Sequence, residues 1–182
     1  MRSTNFLLLC TVVVMAFFGC HNASEQALDA IRKAESELYP DSTMMPDAEK
    51  AKNIIALYSD YAAKYPEDTL SPGFLFKAAD VSSKINLTNQ AIELFGKFIE
   101  QYPSHPNASY ALFLQGFIYE NQMVDPAKAK PYYEKFLSQY PDHPLTQDVK
   151  FSLENLGKSP EELIREFESR QPANDSASVT MQ

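Results

Sequence analysis

Cysteine and histidine carry much of the nucleophilic and metal chemistry of proteins, and this sequence has few of either. The cysteines are Cys10 and Cys20, and two of the three histidines, His105 and His143, lie in the matching segments YPSHP and YPDHP. If these segments belong to successive helical layers, equivalent histidines lie on the order of 10 Å apart. That separation is too large for one shared ion, so we expect no metal site.

No catalytic pattern stands out among the remaining residues. The sequence has no zinc-protease helix motif, no nucleophile elbow and no phosphate-binding loop, and it has only five glycines. We therefore expect no catalytic residue, no cofactor and no small-molecule substrate. The enzymatic alternative is a cell-wall hydrolase, which would need a serine or threonine nucleophile that nothing in the sequence marks.

Charge and composition narrow the classes of partner. The chain of 182 residues has 16 Lys and Arg against 24 Asp and Glu, a net charge of −8. Nucleic acid is an improbable partner because phosphate binding needs clustered positive charge. The hydrophobic fraction of 45% predicts a buried core, in one domain or a small repeat array.

The N-terminus carries a leader. Arg2 precedes an apolar run of 13 residues from Phe6 to Phe18, which is shorter than the roughly 20 residues of a spanning helix but fits a secretory signal. Gly19 and Cys20 end it in a way that resembles the bacterial lipoprotein signal, although Phe17 stands where that pattern usually has Leu. The alternative is an ordinary signal peptide with a chance cysteine.

The resemblance to the lipoprotein signal implies a cellular location. Residues 1–19 would be removed, and Cys20 would become the lipidated N-terminus, with palmitate among its acyl chains. Two or more acyl chains give stable attachment, so the lipid would provide the membrane contact. His21 stands where the family's inner-membrane retention signal has Asp. The implied location is the outer membrane of a Gram-negative bacterium, facing the periplasm.

A repeat of about 37 residues organises the rest. Three segments, NIIALYSDYAAKYP, QAIELFGKFIEQYP and KAKPYYEKFLSQYP, end at prolines 37 and 38 residues apart. Their aligned apolar positions are spaced by 4, 3 and 4, which is one stripe of an α-helix, and the proline predicts the helix end. LFKAADVSSKI and LFLQGFIYENQ lie between these segments and predict a second helix. Each unit is thus helix A, turn, helix B and proline.

These units resemble the tetratricopeptide repeat. The matching positions are the small residues of helix A (Ala79, Gly116), the alanine of helix B (Ala91, Ala129), its aromatic residue (Phe95, Tyr133) and the closing proline (Pro103, Pro141). The spacing of Ala129 implies one extra residue in the Met123–Pro126 turn. Gln115 replaces an apolar residue, and Glu154 at the small-residue position indicates a modified last unit. The resemblance implies an all-α, right-handed helical-hairpin solenoid of about seven to eight helices.

Four regions follow from these patterns. Residues 1–19 are a signal peptide, 20–46 hold the lipidated cysteine, a short helix and a linker, 47–170 the repeats with a C-terminal capping helix, and 171–182 a disordered tail. Ser159 and Glu162 have the spacing of a capping box at the start of the last helix. The apolar face of that helix (Leu163, Ile164, Phe167) is suited to closing the solenoid.

The resemblance also implies a binding groove, because helix A side chains of tetratricopeptide arrays line a surface that holds a peptide or a partner's helix. Carried over by position, that groove comprises Phe76, Asp80, Tyr110, Phe113, Phe117, Asn121, Phe151 and Asn155. Aromatic residues are enriched at binding hot spots. The alternative is that this aromatic stripe is only core packing.

Two envelope families share the overall design. They are the lipoprotein subunit of the β-barrel assembly machinery and the Tol–Pal-associated coordinator of division. The resemblance implies a non-enzymatic, lipid-anchored periplasmic adaptor for protein–protein interactions in envelope biogenesis, either in outer-membrane protein assembly or in division. The alternative from another class is a structural spacer without a specific ligand.

Overall fold

The structure is a computed structural model that describes residues 23–38 and 47–170. Every regular element in these two ranges is an α-helix, and they contain no strand, which confirms the predicted all-α repeat fold. None of the helices in these ranges is long and apolar enough to cross a bilayer. In chain order they are α1 (23–38), α2 (Ala48–Lys64), α3 (Ser71–Lys84), α4 (Thr88–Gln101), α5 (Ala108–Asn121), α6 (Pro126–Gln139), α7 (Thr146–Asn155) and α8 (Pro160–Arg170).

The helices α2, α4 and α6 end in the same way. The tyrosines that follow them, Tyr65, Tyr102 and Tyr140, have φ of −127°, −128° and −131° and ψ of 57°, 55° and 57°. Each tyrosine N–H donates to a carbonyl four residues back, at 2.8–2.9 Å. Proline follows each tyrosine and disfavours the helical conformation there. The three helix ends predicted from the repeat are thus confirmed.

The chain divides into two compact units, one ending at Gln115 and one beginning at Gly116 within α5. In the first unit, α1 buries Ile31, Ala34 and Leu38, a stripe with helical spacing. Glu35 on α1 accepts hydrogen bonds from the Tyr58 hydroxyl (2.6 Å) and the Lys77 ammonium (2.7 Å). α1 is therefore joined by one carboxylate to both α2 and α3.

The pKa of Glu35 reflects these contacts. Partial burial disfavours the carboxylate and by itself raises the pKa, but the hydrogen bonds from Lys77 and Tyr58 outweigh it. The net result is a pKa below the ordinary value of glutamic acid. The ionised form of Glu35 is thus the one that holds α1 in place.

A buried amide joins α4 to the first half of α5. Gln115, which stands where the repeat pattern has an apolar residue, is 6% exposed. Its Nε2 donates to the Ile92 carbonyl at 2.9 Å. A Cβ on Gly96 would lie 3.3 Å from that nitrogen, so the glycine leaves room for the amide. The hydrogen bond satisfies a polar group that would be costly to bury unpaired.

In the second unit, Gly116 allows α5 and α6 to approach closely. A Cβ at this position would lie 2.7 and 2.9 Å from two ring carbons of Tyr133 and 3.2 Å from the Cβ of Tyr132. Tyr133 is fully buried and donates a hydrogen bond to Glu120. Burial and this carboxylate raise the pKa of the Tyr133 phenol well above its ordinary value. The small residue predicted in helix A is therefore required by the packing.

The turns of the second unit account for its departures from the repeat. The α5–α6 turn has one residue more than the α3–α4 turn, as predicted, and its Val124 has a φ of 52°. α7 has 10 residues against 14 in α3 and α5, and Gly157 with a φ of 81° follows it. The capping box of α8 is confirmed, because Ser159 N donates to Glu162 Oε2 (2.8 Å) and Glu162 N to Ser159 Oγ (3.2 Å).

Candidate functional site

Three aromatic rings of the first unit form a stack, here called the aromatic surface: Phe76 of α3 with Tyr110 and Phe113 of α5. The ring centroids of Phe76 and Tyr110 are 6.2 Å apart and those of Tyr110 and Phe113 are 6.0 Å apart, with interplanar angles of 23° and 27°. Tyr110 is 42% exposed. Three of the predicted groove residues are thus brought together, although the partner of Phe113 in the stack is Tyr110 of its own helix.

Two rings of α4 pack against the aromatic surface. Phe76 makes edge-to-face contacts with Phe95 and Phe98, both at 5.4 Å between centroids. Both rings of α4 are fully buried, whereas Phe76 is half-buried. Core packing therefore accounts for one side of Phe76, and the stack accounts for the other. The structure thus shows packing contacts of the Phe76 ring with both α4 and α5, and the binding groove remains a prediction.

Asp80 lies one turn after Phe76 on α3. Its carboxylate pairs with Lys84 at 2.7 Å, and both side chains are exposed by 40% or more. The ion pair lies on the surface, where such pairs contribute little to stability. It supplies a polar group of each sign beside the aromatic rings, which suits a protein or peptide ligand.

The two predicted asparagines have local roles in the second unit. Asn121 and Asn155 are the last residues of α5 and α7, and each Nδ2 donates to the carbonyl four residues back, at 3.1 and 2.8 Å. Those carbonyls belong to Phe117 and Phe151. Each amide thus makes a local side-chain hydrogen bond to the backbone at the end of its own helix. Phe117 itself is 40% exposed.

Phe151 and Asn155 line a cleft of about 560 Å³ together with residues of α8. Leu163 is half-buried in it, but Ile164 is 57% exposed and both Phe151 and Phe167 are 65% exposed. The apolar face expected to close the solenoid is thus largely open to solvent. The sequence signal at this end of the chain is Gly157, which follows the shortened α7.

The repeat-related histidines act in the turns before α5 and α7. His105 Nδ1 accepts the N–H of Asn107 at 3.1 Å, and His143 Nδ1 accepts that of Leu145 at 3.2 Å. Asp68 does the same before α3, accepting the N–H of Leu70 at 2.8 Å. Each imidazole also packs edge-on against a buried Phe of the preceding helix. Within residues 23–38 and 47–170, no group of three potential metal ligands comes together.

The lipidation site lies outside the described residues. Cys20, the signal peptide, the linker and the tail after residue 170 all lie there. The lipid anchor and the region boundaries drawn through these segments therefore remain predictions.

Comparison with known protein families shows to which family the chain belongs. A sequence model of the family YfiO, described as an outer membrane lipoprotein, matches residues 65–160. The chain belongs to this family. The match begins at the tyrosine that ends α2 and includes α3 to α7, and with them the aromatic surface. It confirms the resemblance to tetratricopeptide-type outer membrane lipoproteins. A search of curated proteins by sequence found no match.

Proposed function

We propose that this protein is a non-enzymatic, lipid-anchored periplasmic adaptor that binds a protein partner of the cell envelope through the aromatic surface. The observation that carries the proposal is the position of Tyr110, which is exposed and yet held between two other rings. Stacking fixes the ring before binding, so little conformational entropy is lost when a partner covers it. Tyrosine combines a large apolar face with a polar hydroxyl and is enriched at hot spots.

Membership of the family supports the proposed location of the protein at the outer membrane. In the proposed mature protein, residues 1–19 have been removed and Cys20 carries the lipid. Residues 20–46 include the short helix and the linker, residues 47–170 hold the repeats, and residues 171–182 form a tail. Replacing Cys20 with Ser should release the protein from membranes. If that variant still sediments with membranes, and the mass of the wild type shows no acyl chain, the anchor is refuted.

Photo-crosslinking in living cells tests the adaptor role. A crosslinking amino acid at position 110 should trap a discrete envelope protein, whereas one at Glu100, which is exposed on α4 of the same unit, should not. Tyr110→Ala should weaken that complex by about tenfold or more. Absence of an adduct from position 110, or equal adducts from both positions, would favour the structural spacer. Clearing of cell-wall substrate by the purified protein in zymography would refute the non-enzymatic role.

A further inference from the structure

The cleft between α7 and α8 presents a second exposed apolar surface, here called the α7–α8 face: Phe151, Leu163, Ile164 and Phe167. Three of these side chains are more than half exposed. Large apolar side chains that cluster on a surface, unlike single ones, are typical of interaction sites. This face lies within the second unit and shares no residue with the aromatic surface.

The repeat pattern explains why this face is open. Phe151 occupies the repeat position of Phe76, which is covered by Phe95 and Phe98 of the following helix. Phe95 and Phe98 are the eighth and eleventh residues of α4, and the same positions of α8 hold Phe167 and Arg170. The last helix therefore has one aromatic residue where α4 has two, and both Phe151 and Phe167 remain 65% exposed.

The shape of the face suits a helix. Phe151 and Asn155 are one turn apart on α7, and Leu163 and Phe167 are one turn apart on α8, so the cleft is bounded by two helical rows. A third helix can place one apolar stripe between such rows, which is the helix-in-groove mode of recognition. The volume of about 560 Å³ is enough for several aliphatic or aromatic side chains.

The acidic rim of the cleft indicates which kind of partner it would bind. Its rim carries the carboxylates of Glu154, Glu166 and Glu168. Lys158 pairs with Glu166 at 2.7 Å, and among the side chains that the structure describes Glu154 and Glu168 form no ion pair. A second copy of this chain, placed by two-fold symmetry on the same face, would bring acidic rims together and be repelled. A positively charged partner would be attracted.

We infer that the α7–α8 face binds an amphipathic helix of a partner protein whose apolar stripe is flanked by lysine or arginine. The apolar stripe would cover Phe151, Ile164 and Phe167, and the basic flanks would face Glu154 and Glu168. The affinity then has an apolar part that survives salt and an electrostatic part that salt reduces.

A pair of synthetic helices provides the test. One labelled peptide of about 18 residues, roughly five turns, has a leucine stripe with lysine flanks, and the other has the same stripe with glutamate flanks. Fluorescence anisotropy is measured against residues 21–182, which contain every residue that the structure describes. We expect the lysine peptide to bind at least about tenfold more tightly than the glutamate peptide.

Matched variants locate the binding. Phe151→Ser combined with Phe167→Ser should lower the affinity for the lysine peptide by about tenfold or more, because both apolar anchors are lost. Both side chains are exposed, so the fold should persist, which circular dichroism checks. Val124→Ser also removes an apolar side chain that is 78% exposed, but Val124 does not line the cleft, so this variant should leave the affinity unchanged. Tyr110→Ala should also leave it unchanged, so failure of this inference is separable from failure of the proposed function.

Four outcomes would overturn the inference. The first is no binding of the lysine peptide, and the second is equal binding to the wild type and the double variant, which would mean unspecific charge attraction. The third is a dimer of residues 21–182 in light scattering that the double variant loses, since a second copy would then occupy the face. The fourth is tighter peptide binding after deletion of residues 171–182, which would show that the chain's own C-terminal segment competes for it.

Discussion

Replacing Gly116 with alanine tests the close approach of α5 and α6 in the second unit. The new Cβ would lie 2.7 and 2.9 Å from Tyr133 ring carbons, whereas carbon atoms in favourable contact are about 3.5–4.0 Å apart. The ring is fully buried, and its hydroxyl is held by Glu120. The shortfall of about 1 Å must therefore be met by movement of α6 or loss of that hydrogen bond.

The size of the effect follows from two opposing terms. Overpacking of this kind costs about 1–3 kcal/mol, and the better helix propensity of alanine returns up to about 1 kcal/mol. We expect a net destabilisation of about 1–2 kcal/mol. For a chain of this size, that lowers Tm by about 3–8 °C.

Gly73→Ala is the matched control, because no atom lies within 4 Å of a Cβ built at Gly73 on α3. This variant should be neutral or stabilised by up to about 1 kcal/mol. Urea denaturation of the wild type and both variants, followed by circular dichroism, gives the comparison. If Gly116→Ala is as stable as Gly73→Ala, the close approach of α5 and α6 is refuted.

Substitutions at three further positions test local interactions. His105→Ala should cost about 1 kcal/mol by leaving the Asn107 N–H without its acceptor, whereas His105→Asp, which copies the first repeat, should retain wild-type stability in thermal denaturation. Glu35→Gln should destabilise the protein at neutral pH. Because the pKa of Glu35 is lowered in the folded state, the difference in stability from the wild type should persist above the unfolded pKa and shrink as the pH falls through the folded pKa. A constant difference in urea titrations from pH 7 to pH 3 would contradict this. Val124→Asn should raise stability by about 1 kcal/mol, since asparagine tolerates a positive φ better than valine, and an unchanged urea midpoint would refute it.

Local patterns in the sequence predicted the fold well. The tyrosine–proline pairs set three helix ends because proline acts on its immediate neighbour. The capping box of Ser159 and Glu162 formed because both partners lie within one helical turn. The extra residue before α6 followed from the spacing of two alanines. In each case the decisive interaction is short in sequence, so the pattern itself contains the cause.

The site was predicted less completely because its residues depend on distant neighbours. Repeat position assigned Phe76, Tyr110 and Phe113 to one groove, but it does not show that Phe76 stacks on Tyr110, because that contact depends on how α3 and α5 pack. No local pattern marks Glu35, because its partners Tyr58 and Lys77 are 23 and 42 residues away. Asn121 and Asn155 were assigned to a groove by repeat position, which gives no sign that each amide donates to the carbonyl four residues back in its own helix.

The two exposed apolar surfaces differ in what holds them, and this decides how their variants can be interpreted. Tyr110 is stacked on both sides, so its removal takes away packing as well as a binding group. Aromatic pairs contribute about 0.5–1.5 kcal/mol beyond buried area, so a weakened complex of Tyr110→Ala has to be corrected for lost stability. Phe151 and Phe167 are 65% exposed, and their substitution removes little packing. A loss of affinity at the α7–α8 face therefore measures the interaction itself, and a large loss of stability there would show that the face is buried.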